Sequence, residues 1–309
     1  MKKKAWVWLG IIGLIVLICT IYIFFGRFTV ENGVLVKYRG FSGNVVIPEG
    51  VVSIGEGAFK GRTSLTSITI PEGVISIGDG AFWRCTSLTG VIIPEGVTSI
   101  GNGAFSHCTS LAFVSIPESV TDIGYAAFQG LTALAGIEVD EANAAYTAKD
   151  GVLFTKDVSK LICYPAGKTT HAYTIPPSVT SIEDWAFAFC ESIADVTMPE
   201  GVSSIGVGAF TNCVSLTGLD IPEGVMRIEH MAFSGCASLA YVAIPESLVS
   251  IGEVAFFGCT SLAGITIPES VTSIEWYAFD DCPDLIIYGV AGSEAERYAE
   301  KEGIPFAAI

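Results

Sequence analysis

A repeat with a period of 23 runs through most of this 309-residue chain, and it limits what the chain can fold into more than any other feature. Aligned on proline, the sequence reads Pro48, Pro71, Pro94 and Pro117, then Pro176, Pro199, Pro222, Pro245 and Pro268, with the same step between neighbours throughout each group. A period of about 20 to 50 residues marks a solenoid rather than a globular core. The unit Ile93 to Ser115 has no helical spacing. Leu111, Val114 and Ile116 form an L-x-x-V-x-I strand pattern, and Val97 and Ile100 form a second short apolar pair. Each unit is therefore expected to be two extended segments joined by turns, giving nine coils. One coil cannot bury its inward residues, but copies stacked at about 4.8 Å align equal positions into ladders around one continuous core.

Two ladders carry most of the unusual composition. Phe59, Phe82, Phe105, Phe128, Phe187, Phe210, Phe233, Phe256 and Phe279 occupy one repeat position, each preceded by an alanine that leaves room for the ring at a bend. Cys85, Cys108, Cys190, Cys213, Cys236, Cys259 and Cys282 occupy another, with Arg62 and Leu131 in the same slot of two coils. Coil-to-coil spacing exceeds the usual disulfide Cβ separation of about 3.5 to 4.5 Å, and no CxxC or paired histidine accompanies the series. Buried, reduced thiols are expected, with no metal and no cofactor.

The whole pattern, I-P-x-x-V-x-x-I-G-x-x-A-F-x-x-C-x-S-L-x-x-V, resembles the leucine-rich repeats of the BspA-like surface protein family across roughly residues 29 to 309. It departs from the commoner leucine-rich repeat, which carries Asn or Cys after its second strand leucine where this chain has glycine or serine, so an asparagine ladder is not expected. The resemblance implies a mainly β solenoid and adhesion to host or neighbouring-cell proteins.

The interval from Pro117 to Pro176 exceeds one period by 36. Asp150-Gly151, the run Val152 to Phe154, a turn at Lys156-Asp157 and the run Leu161 to Tyr164 read as an inserted hairpin. Similar residues, Asn32-Gly33-Val34-Leu35 followed by Tyr38, open the repeats. Near the end, Ser293 and Glu296 have capping-box spacing, and Gly303 with Pro305 stops a capping helix. At the start, Lys2, Lys3 and Lys4 precede an uncharged apolar run, Ala5 to Phe25, long enough at about 1.5 Å per residue to cross a hydrocarbon layer of about 30 Å. The expected organisation is a signal-anchor transmembrane helix over 1–28, a cap and four repeats over 29–139, the hairpin insertion over 140–175, five repeats over 176–288 and a C-terminal cap helix over 289–309. Basic residues before the apolar run favour a single-pass membrane protein with its repeats exported to the cell surface.

A formal charge of -16 leaves no cationic surplus for a nucleic acid backbone. The histidines His107, His171 and His230 do not assemble with a nucleophile and an acid in any recognisable spacing, and no phosphate-binding glycine motif is present, so an enzyme is not expected. Two surfaces remain. If the strand ending in Ile-Pro lines the concave face, its outward residues are mostly small, punctuated by Ile92, Phe113, Glu138, Asp195, Asp220 and Tyr241. Such a face suits an extended protein partner with aromatic anchors, or else its small residues only relieve crowding on an inner curve. The other is an acidic stripe, Glu49, Glu72, Glu95, Glu118, Glu200, Glu223, Glu246 and Glu269, which is either simply solvated or matched to a basic partner or a divalent cation.

Overall fold

The computed structural model describes residues 27–309, and the apolar run Ala5 to Phe25 with its expected membrane helix lies outside the described residues. Among the described residues no helix is long and apolar enough to cross a membrane.

Each coil contributes two strands, as the pattern dictates. The Val-x-x-Ile pair ends in a two-residue strand: β4 (Ser53–Ile54), β6 (Ser76–Ile77), β8 (Ser99–Ile100) and β10 (Asp122–Ile123) in the first stack, and β16 (Ser181–Ile182), β18 (Ser204–Ile205), β20 (Arg227–Ile228), β22 (Ser250–Ile251) and β24 (Ser273–Ile274) in the second. The L-x-x-V-x-I segment gives the longer strands β3 (Asn44–Val46), β5 (Ser67–Thr69), β7 (Gly90–Ile92), β9 (Phe113–Ile116) and β11 (Gly136–Val139), then β15 (Ala172–Thr174), β17 (Asp195–Thr197), β19 (Gly218–Asp220), β21 (Tyr241–Ala243), β23 (Gly264–Thr266) and β25 (Ile286–Gly289). Equal positions pair in parallel, as in Ser76↔Ser99 and Val91↔Val114. Burial alternates along the longer strands because successive side chains point to opposite faces, so Val91 faces the core while Gly90 and Ile92 face solvent.

The turn between the two strands carries the ladders. Neighbouring phenylalanine rings stack with centroids 4.8 to 6.0 Å apart, from Phe187–Phe210 to Phe105–Phe128. The ladder cysteines are free, and each serves the aromatic residue of the coil before: Cys108 Sγ donates to the Phe82 carbonyl at 3.0 Å and Cys213 Sγ to the Phe187 carbonyl at 3.0 Å. Burial pushes the Cys163 and Cys282 thiols up to about 12 and about 11, respectively. Cysteine suits this slot because it is small, apolar and a weak donor, which satisfies a carbonyl that a valine would leave bare.

Three features differ from the sequence expectation. Nine prolines do not mark all the coils, and the solenoid has about twelve turns. An opening hairpin of β1 (Phe28–Glu31) and β2 (Val34–Tyr38) turns at Asn32-Gly33, where both residues have positive φ, and β2 then joins β4 in parallel. Tyr38 stands where a coil would place phenylalanine, its ring 5.2 Å from Phe59. The same device recurs at the insertion, where the expected hairpin of β13 (Val152–Thr155) and β14 (Lys160–Cys163) is extended to a three-stranded meander by β12 (Tyr146–Lys149). Asp150-Gly151 repeats the positive-φ turn, β14 joins β16 in parallel, and Tyr164 stacks on Phe187 at 5.0 Å. The insertion is thus woven into the stack as a further coil without a repeat proline. Its strand β13 divides the core, since Leu153 packs into the first apolar cluster and Val152 and Phe154 into the second.

The third difference is at the closing helix, α1 (Glu294–Glu302). Ser293 makes no side-chain cap bond, so the expected capping box is not formed; Glu296 instead accepts the amide of Gly292 at 2.6 Å, one residue further back. Gly303 ends the helix with φ 73, and β26 (Phe306–Ala308) adds a last strand beside β25.

Candidate partner-binding face

The outward side of the longer strands presents two rows per coil. One row runs Asn44, Ser67, Gly90, Phe113 and Gly136 in the first stack and Ala172, Asp195, Gly218 and Tyr241 in the second; the other includes Val46, Thr69, Ile92, Ser115 and Glu138, then Thr174, Thr197, Asp220 and Ala243. All six residues singled out in the sequence are exposed on this side. Ile92 is 82 % exposed, Tyr241 57 % and Phe113 43 %. They are not one cluster. Ile92, Phe113 and Glu138 belong to the sheet β11-β9-β7-β5-β3, and Asp195, Asp220 and Tyr241 to the sheet β15-β17-β19-β21.

In the second sheet a small residue adjoins the exposed aromatic. The Tyr241 ring lies beside Gly218 of the neighbouring strand, where an added side-chain carbon would meet it at 3.5 Å, in ordinary van der Waals contact. Beside it, a shallow groove of about 580 Å³ is lined by Asp195, Thr197, Asp220 and Tyr241, and also by Glu200 and Glu223. The structure therefore joins the two surfaces that the sequence left separate: two members of the acidic stripe border the same groove as the strand residues. The Asp220 carboxylate, with some burial, raises the Tyr241 phenol above its ordinary value, so the hydroxyl remains a donor through neutral pH. All eight stripe glutamates are exposed, and none is in an ion pair among the described residues. No group of three or more metal-ligating side chains occurs among the described residues.

Sequence reasoning missed Tyr288, whose ring lies beside Gly264 as that of Tyr241 lies beside Gly218 and which borders a second depression of about 340 Å³ with Tyr241. Its signal was hidden by one deletion: Tyr288 pairs with Thr266, one position short of a full period, so a strict alignment ends one strand early. The histidines are dispersed. His107 packs edge-on against Phe189, His171 contacts the Ser192 carbonyl at 3.0 Å, and His230 lies 3.8 Å from Glu253 on the surface.

A family model described as the BspA type leucine-rich repeat region matches residues 39–147 and 163–286 in six copies. The chain belongs to this family. No curated protein matches it. Among solved structures, a leucine-rich cell surface protein from Faecalibacterium prausnitzii is 30% identical over 88% of this chain and 94% of its own, with a TM-score of 0.65. A leucine-rich repeat protein from Eubacterium ventriosum is 25% identical, covering 80% of this chain and 88% of its own at a TM-score of 0.56. The pneumococcal vaccine antigen PcpA shares the fold, with a TM-score of 0.69 at 21% identity over 86% of this chain and 79% of its own. The gap between the two spans matched by the BspA-type model contains the meander turn Asp150-Gly151 and all of β13, the strand that carries no repeat signature.

Proposed function

We propose that this BspA-type chain is a non-catalytic protein-binding module displayed at the cell surface, anchored through the apolar segment Ala5 to Phe25, and that it adheres to proteins of a host or neighbouring cell through the outward face of its longer strands. The groove around Tyr241 carries this reading. It combines an exposed aromatic ring beside a glycine with four carboxylates, from Asp195, Asp220, Glu200 and Glu223, within one depression. Aromatic residues supply large contact area at small entropic cost, and a carboxylate rim selects basic side chains and repels acidic partners. The partner class that fits is a protein presenting lysine or arginine next to an apolar residue. Resemblance to a named cell surface protein supports the location, and three lysines before the apolar run support export of the repeats.

The test is capture of surface proteins by immobilised native chain and by Tyr241→Ala, with and without divalent cations. Native capture that falls about tenfold in the variant, an effect of about 1.4 kcal/mol, supports the reading. Equal capture by both leaves the groove without a role and the molecule a spacer that holds the anchor away from its surroundings. Protease treatment of intact cells decides topology, because repeats on the inner side of the membrane survive it.

A further inference from the structure

Every phenylalanine turn carries three backbone amides directed along the solenoid, at the residue two before the phenylalanine, at the phenylalanine and two after it. In seven coils all three donate to carbonyls of the next coil; Gly103, Phe105 and His107, for example, donate to Tyr125, Ala127 and Gln129 at 2.8, 2.9 and 2.8 Å. At the C-terminal end the Phe279 amide is met by the Tyr298 hydroxyl at 3.4 Å. The Tyr277 and Asp281 amides of that last turn have no acceptor among the described residues, and in the coil before the meander none of the three amides is met. Among the described residues no acceptor meets the amides of Ala126, Phe128 or Gly130, although Phe128 and Gly130 are buried. The sheet edge next to them is closed, since the Tyr146 hydroxyl accepts the Ile123 amide at 2.9 Å.

In front of these amides lies a cleft of about 330 Å³ between the two stacks, with Ile123, Phe128 and Ile162 among its apolar lining and Lys160, Glu183 and Asp184 among its polar lining. The Trp185 indole donates to the Tyr125 hydroxyl across the seam at 2.6 Å. The aromatic ladder stops at Phe128 and resumes at Tyr164.

We propose that this cleft binds a polypeptide segment from a partner protein folded in successive turns, whose carbonyls at alternate residues take the places held elsewhere by the turns of the next coil. The donor spacing argues for main chain, because the same three positions bind main chain in seven coils of this molecule. Addition of main chain to an open row of backbone donors is a general mode of peptide recognition. Glu183 and Asp184 suit the segment's own amides or a basic side chain. The site is separate from the Tyr241 groove and does not depend on it.

The experiment follows backbone amide resonances of the full isotope-labelled chain in detergent during titration with an acetylated, amidated peptide of sequence Gly-Asn-Gly-Ala-Phe-Ser-His, that of residues 101–107, and separately with cellobiose. Saturable downfield shifts of the Ala126, Phe128 and Gly130 amides with the peptide are expected. Ile162→Trp, which fills the cleft from a partly exposed position, weakens the peptide by at least about tenfold, while Tyr241→Ala leaves it unchanged. If the variant fails to fold, Thr155→Trp on the adjacent strand β13 takes its place. Three amides that stay still at millimolar peptide, or that respond to the disaccharide and not to the peptide, overturn the proposal.

Discussion

At the scale of single residues, the ladders show how one position repeated sets chemistry aside for packing. Seven cysteines in register suggest metal or redox sites until their sulfurs are seen to serve the aromatic residues of the preceding coil, six of them donating to phenylalanine carbonyls at 3.0 to 3.2 Å. Burial gives a pH signature to the ladder thiol Cys282 and to Cys163, which lies outside the ladder in the meander. The Cys282 and Cys163 thiols sit at about 11 and about 12 in the folded chain, against an ordinary 9.0. Between these limits the unfolded chain releases thiol protons that the folded chain retains, so stability is complete below about pH 9 and is lost as pH rises through about 11. Urea midpoints at about pH 8 and about pH 10.5 measure it: the native chain drops between them, and a Cys163→Ala/Cys282→Ala chain drops less. The face residues were legible for a related reason. Strand alternation alone exposes Ile92, Phe113 and Tyr241, whereas the contact of Tyr241 with Gly218 depends on cross-strand register and was not legible in the pattern.

At the scale of elements, what the repeat marks is clear and what it omits has to be built by other means. Asn143 is an example. It is wholly buried, donates to the Pro117 and Val120 carbonyls at 2.7 and 2.9 Å, and accepts the amides of Ala145 and Tyr146 at 2.9 and 2.8 Å. One side chain therefore ties the meander to the last coil of the first stack. Nothing periodic points to it, since it lies between repeats. Asn143→Ala leaves two carbonyls and two amides without partners and is expected to cost about 3 kcal/mol, read from chemical denaturation. Serine at 293 failed as a cap for a local reason: Glu296 reaches back to Gly292, so the spacing was right and the partner was displaced by one residue. The two opening turns were readable because Asn-Gly and Asp-Gly tolerate consecutive positive φ, and both adopt it.

At the scale of the whole molecule, two stacks share one strand, β13, whose alternate side chains enter different cores. Solenoids gain stability from neighbouring interfaces, so the weakest interface sets where cooperativity fails. Here that interface is the seam, where three coil-to-coil amide bonds are missing. Leu153→Ala, which removes a wholly buried side chain from the first core, is expected to cost about 2 to 5 kcal/mol. It should divide denaturation into two steps, the environment of Trp83 changing before that of Trp276, whereas both change together in the native chain. The same architecture leaves the outward face of the longer strands open over both stacks, and on that face the proposed adhesion stands or falls. It is decided by the adhesion of beads carrying the native chain, Phe113→Ala/Tyr241→Ala or Glu95→Gln/Glu118→Gln to cells whose surface proteins the native chain captures. Adhesion that falls about tenfold in the aromatic variant and holds in the glutamine variant is the predicted result; adhesion that follows the glutamines, or that ignores both changes, contradicts it.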